Sequence, residues 1–315
     1  MGGVSIIDEN LPLVSVLMSC YNHDKFVGEA IESVLGQTFP DFEFIILDNG
    51  STDGSTQLIK DYEKKDDRIR AIFHKKNVGI PRALNQLIDS AGGKFLARID
   101  SDDVWMKEKL EKQLKIMEQD DNLIIWTEAE LIDAESLSLD QKFTERYENL
   151  KRDGDIFDQL LAGNYIFCSS MMYKRENLEG IRYNEDIRNL NDHKFNLDLS
   201  YQYEYYFIPE VLSKYRLHGR NTIFSDMEGW YKDYMAIGKF IAREYGDRLS
   251  SRQNKKKLFH LIFTTPFYSA VKQDPWNKLN LIYGLKLPPY AIYTLIKLYF
   301  QNHNGQNEVY KSTSK

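Results

Sequence analysis

Asp100-Ser101-Asp102-Asp103 puts three carboxylates within four positions. Like charges packed that closely do not all ionise cheaply unless a cation stands beside them. Hard divalent ions such as Mg2+ and Mn2+ take oxygen ligands and share them with substrate phosphates. An Asp-x-Asp pair holding such an ion against a diphosphate would neutralise the charge that develops on a departing nucleoside diphosphate. Asp-Ser-Asp-Asp is equally ordinary turn and helix-cap chemistry, and its spacing alone does not separate the two readings. Its position among the secondary-structure elements does more.

Those elements alternate along the first hundred residues. Leu13–Met18, Phe42–Leu47, Ile69–Phe73 and Lys94–Ile99 are short apolar runs that predict strands. Between them, Phe26–Leu35, Ser55–Tyr62 and Pro81–Ala91 carry helical spacing, with Pro81 in a first turn and Gly92-Gly93 closing the third helix. Repeated strand–helix–strand units predict an α/β fold: a mostly parallel sheet with helices on both faces. Ligands of such sheets bind beyond the carboxyl ends of the strands. The residues found there are Ser19-Cys20-Tyr21-Asn22, Asp48-Asn49-Gly50-Ser51 and the acidic cluster itself.

Further on, Glu108–Gln119 and Asp192–Leu199 are predicted helices, and Asn122–Glu128, Asn164–Tyr173 and Tyr203–Pro209 predicted strands. Asp133–Asp155 is polar and unpatterned, as expected of a loop across the site. Residues 1–225 are expected to form the catalytic domain and 226–315 a helical region.

The chain has 315 residues, 42% hydrophobic and 28% charged, which suits a soluble globular protein with room for a second, smaller module. A net charge of −6 gives no sign of a nucleic-acid partner. Cys20 and Cys168 form no metal-binding pair and fit a reducing compartment. The opening MGGVSIIDENLPLVSV lacks the basic flank of a signal peptide. No run reaches the roughly 20 apolar residues of a membrane span. The expected location is cytoplasmic.

The segment Val14–Ile124 resembles family 2 glycosyltransferases, which have the GT-A fold, and in particular sugar transferases of bacterial polysaccharide and lipopolysaccharide assembly. The resemblance rests on VSVLMSCYN, EFIILDNGSTDGS, NVGIPRALNQLIDSAGGKFLARIDSDD and KLEKQLKIME, in that order. It resumes more weakly at Ile166–Arg175, LNDHKFNLDL and YRLHGRNTI, and nothing beyond Asp226 takes part. It implies an inverting enzyme that moves a sugar from a nucleotide-diphosphate donor, UDP- or dTDP-linked, to a hydroxyl of a glycan or lipid-linked acceptor.

The resemblance also implies roles. Tyr21 would stack on the base, with Ser19 beside it, and Asp48 would read the pyrimidine. Asn49 stands where a second carboxylate is usual; its amide both donates and accepts, so base reading survives, but which pyrimidine is bound is left open. Asp100 would meet the ribose or a metal-bound water, with Ser101 next to it, and Asp102 would ligate Mn2+ or Mg2+ directly. Asp103 is read as the cap of a helix starting near Val104. Arg82 and Arg98 are candidates for the diphosphate or for binding the acidic loop. The base falls on Asp192, preceded by Asn191 where an acidic residue is common, with Glu185 and Asp186 as fallbacks. Arg216 and His218, in YRLHG, would lie near the diphosphate, His218 as a metal ligand.

In the last third, Trp230, Tyr234, Ile237, Phe240, Ile241 and Tyr245 recur at helical spacing, as expected of a helix packed on the core. Lys255-Lys256-Lys257 before LFHLIF, together with the Tyr-, Ile- and Leu-rich Pro289–Phe300, would also suit peripheral contact with the inner face of an anionic membrane. Other classes fit less well. A dehydrogenase would show GxGxxG after the first strand, and a nucleotidyltransferase a glycine-rich basic loop, where this chain has SCYNHDKF. A non-catalytic sugar-nucleotide-binding module is the remaining rival, and it would keep Asp48 and Asp102 without needing Asp192.

Overall fold

A computed structural model describes residues 12–147, 149–161, 163–219, 227–249 and 251. The chain divides into two units, residues 1–225 and 226–315.

In the first unit, β1 (Val14–Cys20), β2 (Phe42–Asp48), β3 (Ile69–Phe73) and β4 (Phe95–Asp100) are the predicted strands. They pair in parallel in the order β3-β2-β1-β4. Strand side chains alternate between the two faces. Val14, Val16, Met18 and Cys20 of β1 pack in one cluster with Val27, Ala30, Ile31 and Val34 of α1 (Val27–Leu35), Ile59 of α2 (Ser55–Glu63), and Leu110 and Leu114 of α4 (Lys109–Met117). Leu17 points the other way and is also buried, on the face where α3 (Ile80–Ser90) lies against β1 and β2. The expected α/β architecture, helices on both faces of the sheet, is what the chain adopts.

The second half of the sheet is mixed. β8 (Met172–Lys174) is antiparallel to β4 and to β6 (Ile124–Ile132), and β9 (Tyr205–Arg216) runs parallel to β6. The strand expected over Asn164–Tyr173 is confined to its end. Before it, Asn164 and Ser170 bond the backbone at Ile166 and Phe167, and a 3-10 turn forms at Cys168–Ser170. β9 outruns the predicted Tyr203–Pro209. A register shift carries it past Pro209, which has no N–H to give the ladder, so Ile208 faces Thr127 and Val211 faces Glu128.

The expected loop Asp133–Asp155 instead folds back as β7 (Ser138–Lys142), paired with β6, followed by a 3-10 turn at Phe143–Tyr147. The helix expected near Val104 starts at Lys109; Val104–Trp105 is β5, paired antiparallel with β9. A single turn, α5 (Phe157–Leu160), precedes α6 (Asn191–Gln202), which covers the predicted Asp192–Leu199.

In the second unit, α7 (Met227–Glu244) carries part of the predicted aromatic stripe, and Ile237, Ile241 and Tyr245 are buried. Lys255–Lys257 and Pro289–Phe300 lie outside the described residues. Among the described residues, no helix is long and apolar enough to cross a membrane.

Candidate active site

The parallel strands end together. Cys20 sits opposite Asp48 and Ser19 opposite Asp100, so the loops after β1, β2 and β4 share one edge of the sheet. The first two are stitched to each other. Asn22, in the left-handed region at φ 57, accepts from the Thr52 N–H at 2.8 Å and gives its own N–H to Ser51 Oγ. The His23 N–H donates to Ser55 Oγ at 3.0 Å. Tyr21, just beyond the strand, is 41% exposed.

Asp48 and Asn49 are buried and largely engaged. The Asp48 carboxylate accepts from the Ser51 N–H at 3.2 Å and the Thr56 hydroxyl at 2.5 Å. The Asn49 Oδ1 accepts from the Val78 N–H, and its Nδ2 donates to Asn77 Oδ1 and the Gly79 carbonyl. The Asn49 amide thus holds residues 77–79 in place, a task that uses its donor as well as its acceptor.

β9 positions the acidic loop from the far side. It pairs with β5 through Val104–Lys214 and Trp105–Ser213, so the chain just past Lys214 runs beside Asp103 and Asp102. Arg216, expected at the diphosphate, is instead 1% exposed and built into this scaffold. Its Nε donates to the Asp102 carbonyl at 2.7 Å, its Nη1 to the Asp133 carbonyl and Ser136 Oγ, and its Nη2 to Glu29 at 2.6 Å. Its backbone N–H donates to Asp103 Oδ1.

Asp103 is not the expected helix cap. It is buried and also accepts from Ser169 Oγ, whose oxygen in turn accepts the Asp100 N–H at 2.9 Å. Burial, and then the nearby charges of Asp102 and Asp100, push its carboxyl well above the usual carboxylate range. Its two bonds tie the acidic loop to the Cys168–Ser170 turn and to β9. Ser169 and Glu29 gave no sign in the sequence, since a serine in an apolar run and a glutamate on a helix are everywhere.

Two constellations come out of this scaffold. In the first, Arg98 makes a two-pronged contact with Asp100 (Nε 3.1 Å, Nη2 2.7 Å) and reaches Asp192 with Nη1 at 2.6 Å and the Tyr183 hydroxyl at 3.2 Å. Arg98 thus binds the acidic loop through Asp100. Asp192 stands in the first turn of α6, where the helix dipole favours a carboxylate. Arg82 pairs instead with Glu185, 2.7 Å away and at the surface, and Asp186 is exposed.

In the second, His218 Nε2 lies 2.9 Å from Asp102 Oδ2. Burial works to raise the Asp102 pKa, but the His218 hydrogen bond and the adjacent His23 and His218 charges outweigh it and hold it below the usual range. His23, Asp102 and His218 each offer a ligand atom, and all three atoms lie within 4.8 Å of one another. Beside them opens a cleft of about 380 Å3 lined by His23, Lys25, Phe26, Glu135 and His218. His23 is not among the expected site residues; the signal that could have found it is a metal-ligating residue type in a loop at a strand end, two positions past Tyr21.

Carboxylates and imidazoles thus gather at the strand ends of an α/β sheet of GT-A type. Residues 15–182 match the model for glycosyl transferase family 2, and the chain belongs to that family. It is 35% identical over 207 residues to TuaG of Bacillus subtilis, a glycosyltransferase ascribed to teichuronic acid biosynthesis, covering 65% of this chain and 79% of that one. An uncharacterized glycosyltransferase of Methanocaldococcus jannaschii is 34% identical over 218 residues, covering 68% of this chain and 74% of its own. Among solved structures, residues 1–349 of S. aureus TarS in complex with UDP-GlcNAc superpose with a TM-score of 0.62 at 16% identity, over 90% of this chain and 78% of that one. The mannosyltransferase PcManGT of Pyrobaculum calidifontis, in complex with GDP-Man and Mn2+, gives 0.59 at 15% identity, over 91% and 84%. At those identities the likeness is one of fold.

Proposed function

We propose that this glycosyltransferase moves a sugar from a nucleoside-diphosphate donor, UDP- or dTDP-linked, to a hydroxyl of a glycan or lipid-linked saccharide by a single, inverting displacement. Asp192 is the base. The observation that carries the reading is the Arg98 bridge, which ties Asp192 at 2.6 Å and Asp100 at 2.7 Å to one guanidinium. A base candidate is thereby fixed beside the acidic cluster, as a single displacement needs.

On the donor side, the exposed ring of Tyr21 suits the base, and the engaged carboxylate of Asp48 shapes the loop beneath it. Asp102 and His218, with Asp100 behind them, would hold Mn2+ or Mg2+; their donor atoms, 2.9 Å apart, fit neighbouring positions on one ion. A bound ion supplies positive charge against the leaving diphosphate. The acceptor oxygen forms its bond to the anomeric carbon as the bond from that carbon to the diphosphate oxygen breaks, and the hydroxyl proton passes to Asp192. The UDP-GlcNAc complex of TarS supports a uridine donor, the Mn2+ complex of the mannosyltransferase supports the ion, and the teichuronic acid biosynthesis ascribed to TuaG supports a glycan acceptor.

The test is turnover on a panel of UDP-, dTDP- and GDP-sugars with Mn2+, with and without chelator, reading the anomeric configuration of the product by NMR. The expected product has the opposite configuration to the donor, and chelation stops its formation. Retention of configuration, or turnover that ignores chelation, would overturn the corresponding part of the mechanism.

A further inference from the structure

The loop after β1 brings a third ligand to Asp102 and His218. We propose that His23 binds the same divalent cation, making the site one of two imidazoles and one carboxylate that prefers Mn2+ and its heavier first-row neighbours to Mg2+. This rests on the reading that Asp102 and His218 hold a cation at all.

The geometry suits one ion. Ligand bonds of about 2.1 Å put neighbouring donor atoms about 3.0 Å apart and opposite ones about 4.2 Å apart. The Asp102–His218 pair stands at 2.9 Å, the separation of neighbouring ligands, and one donor atom from each of the three residues lies within 4.8 Å of the others, so the three gather around one point. The His23 and His218 rings stand edge to face at 86° with centroids 5.7 Å apart, converging without stacking.

His23 is also oriented for the task. Its Nδ1 lies 2.8 Å from the hydroxyl of Ser101, the buried residue between Asp100 and Asp102. With the Nδ1 proton donated to that hydroxyl, Nε2 presents a lone pair, the arrangement in which a hydrogen bond to one ring nitrogen sets the other for a metal. The His23 backbone is held at both ends: its N–H by Ser55 Oγ, and its carbonyl by the N–H groups of Phe26 and Val27 at the start of α1. These bonds fix the His23 backbone and engage Nδ1, and leave Nε2 outside them.

The preference follows from the donors. Mg2+ takes oxygen and keeps its water, whereas imidazole favours transition metals, with affinity rising from Mn2+ through Fe2+ and Co2+. One histidine among oxygens would leave that choice weak. Two make it marked.

The experiment is Mn2+ binding to the full chain, without and with UDP, followed by EPR, with pulsed EPR to count imidazole nitrogens on the ion. Two imidazoles are expected in the wild type and one in His23→Ala, whose Mn2+ affinity should fall at least 10-fold while its Mg2+ affinity changes less. His23→Gln keeps a polar side chain toward Ser101 and takes over the comparison if the alanine variant fails to fold. A single imidazole in the wild type, or unchanged Mn2+ affinity in the variants while Asp102→Ala loses the ion, overturns the role of His23 and leaves the cation reading standing. Absence of Mn2+ binding under either condition overturns both.

Discussion

The guanidinium of Arg98 reaches the carboxylate of Asp192 at 2.6 Å across 94 residues of sequence. Arg98 is only 7% exposed, and a buried guanidinium demands counter-charge. Asp100 and Asp192 supply it together, one from the end of β4 and one from the start of α6. Their shared cation draws helix and strand end into a single unit, so the contact that joins the two halves of the domain also fixes the position of Asp192.

Replacement of Arg98 by Met therefore strikes both stability and activity. Removing one partner of a buried ion pair costs about 3–5 kcal/mol, and the lower end applies because Asp100 and Asp192 are roughly a third exposed and can rehydrate. Arg98→Lys restores the charge but not the planar fork that spans two carboxylates, so its loss should fall between Met and wild type. Urea denaturation of the three proteins checks the ranking. A methionine variant as stable as wild type would show the bridge to be incidental.

Asp192→Asn tests the base without dismantling the bridge, because an amide oxygen can still accept from Arg98. The expected outcome is a fall in kcat of about 10²–10⁴-fold, with the donor KM changed little. A fall in donor affinity at unchanged kcat would make Asp192 a binding residue and move the base elsewhere.

The parallel half of the sheet was legible because each strand is a short apolar run between helical stretches, and the rule about strand ends then pointed to Tyr21, Asp48 and Asp102. Less legible was whatever depends on long-range pairing. Asp103 looked like a helix cap because Val104 looked like a helix start; only the pairing of Val104–Trp105 with β9 makes that stretch a strand and turns Asp103 inward. The same pairing draws Arg216 under Asp102, where its guanidinium braces the loop. His23 was not singled out, and its partner Ser101 lies 78 residues away. Periodicity carries no such information.

Gly50 is a sharper test of the donor loops. Its φ is +77°, and a Cβ there would stand 2.5 Å from the carbonyl carbon of Lys76. The loops after β2 and β3 touch at this point, and no flexible side chain is present to move aside. Gly50→Ala should cost about 1–3 kcal/mol through left-handed strain alone, more where the loop is forced apart, and should weaken nucleotide binding by displacing Asp48 and Asn49. Calorimetric binding of UDP, measured beside thermal unfolding, reads both effects. Wild-type values for both would show that the loops absorb the methyl group without consequence.

His193, next to Asp192 on α6, makes the stability of the fold depend on pH. It is buried and donates through Nε2 to the Leu160 carbonyl at 2.7 Å. Burial lowers its pKa from 6.5 to about 4, with the Leu160 bond opposing the shift. The native imidazole therefore stays neutral between pH 6.5 and about 4, while the unfolded chain takes up a proton. The unfolded state binds more protons in that window, so the stability from this residue is complete above pH 6.5 and is lost progressively as the pH falls. Between pH 7 and pH 5 the loss should be about 2 kcal/mol. His193→Leu leaves the Leu160 carbonyl without its partner and is less stable at pH 7, but its unfolding free energy should decline less steeply over the same range. Urea titrations of both proteins at pH 7, 6 and 5 give the two slopes. Equal slopes would mean that the imidazole takes up its proton over the same pH range in the native and unfolded states, and that another group carries the acid sensitivity.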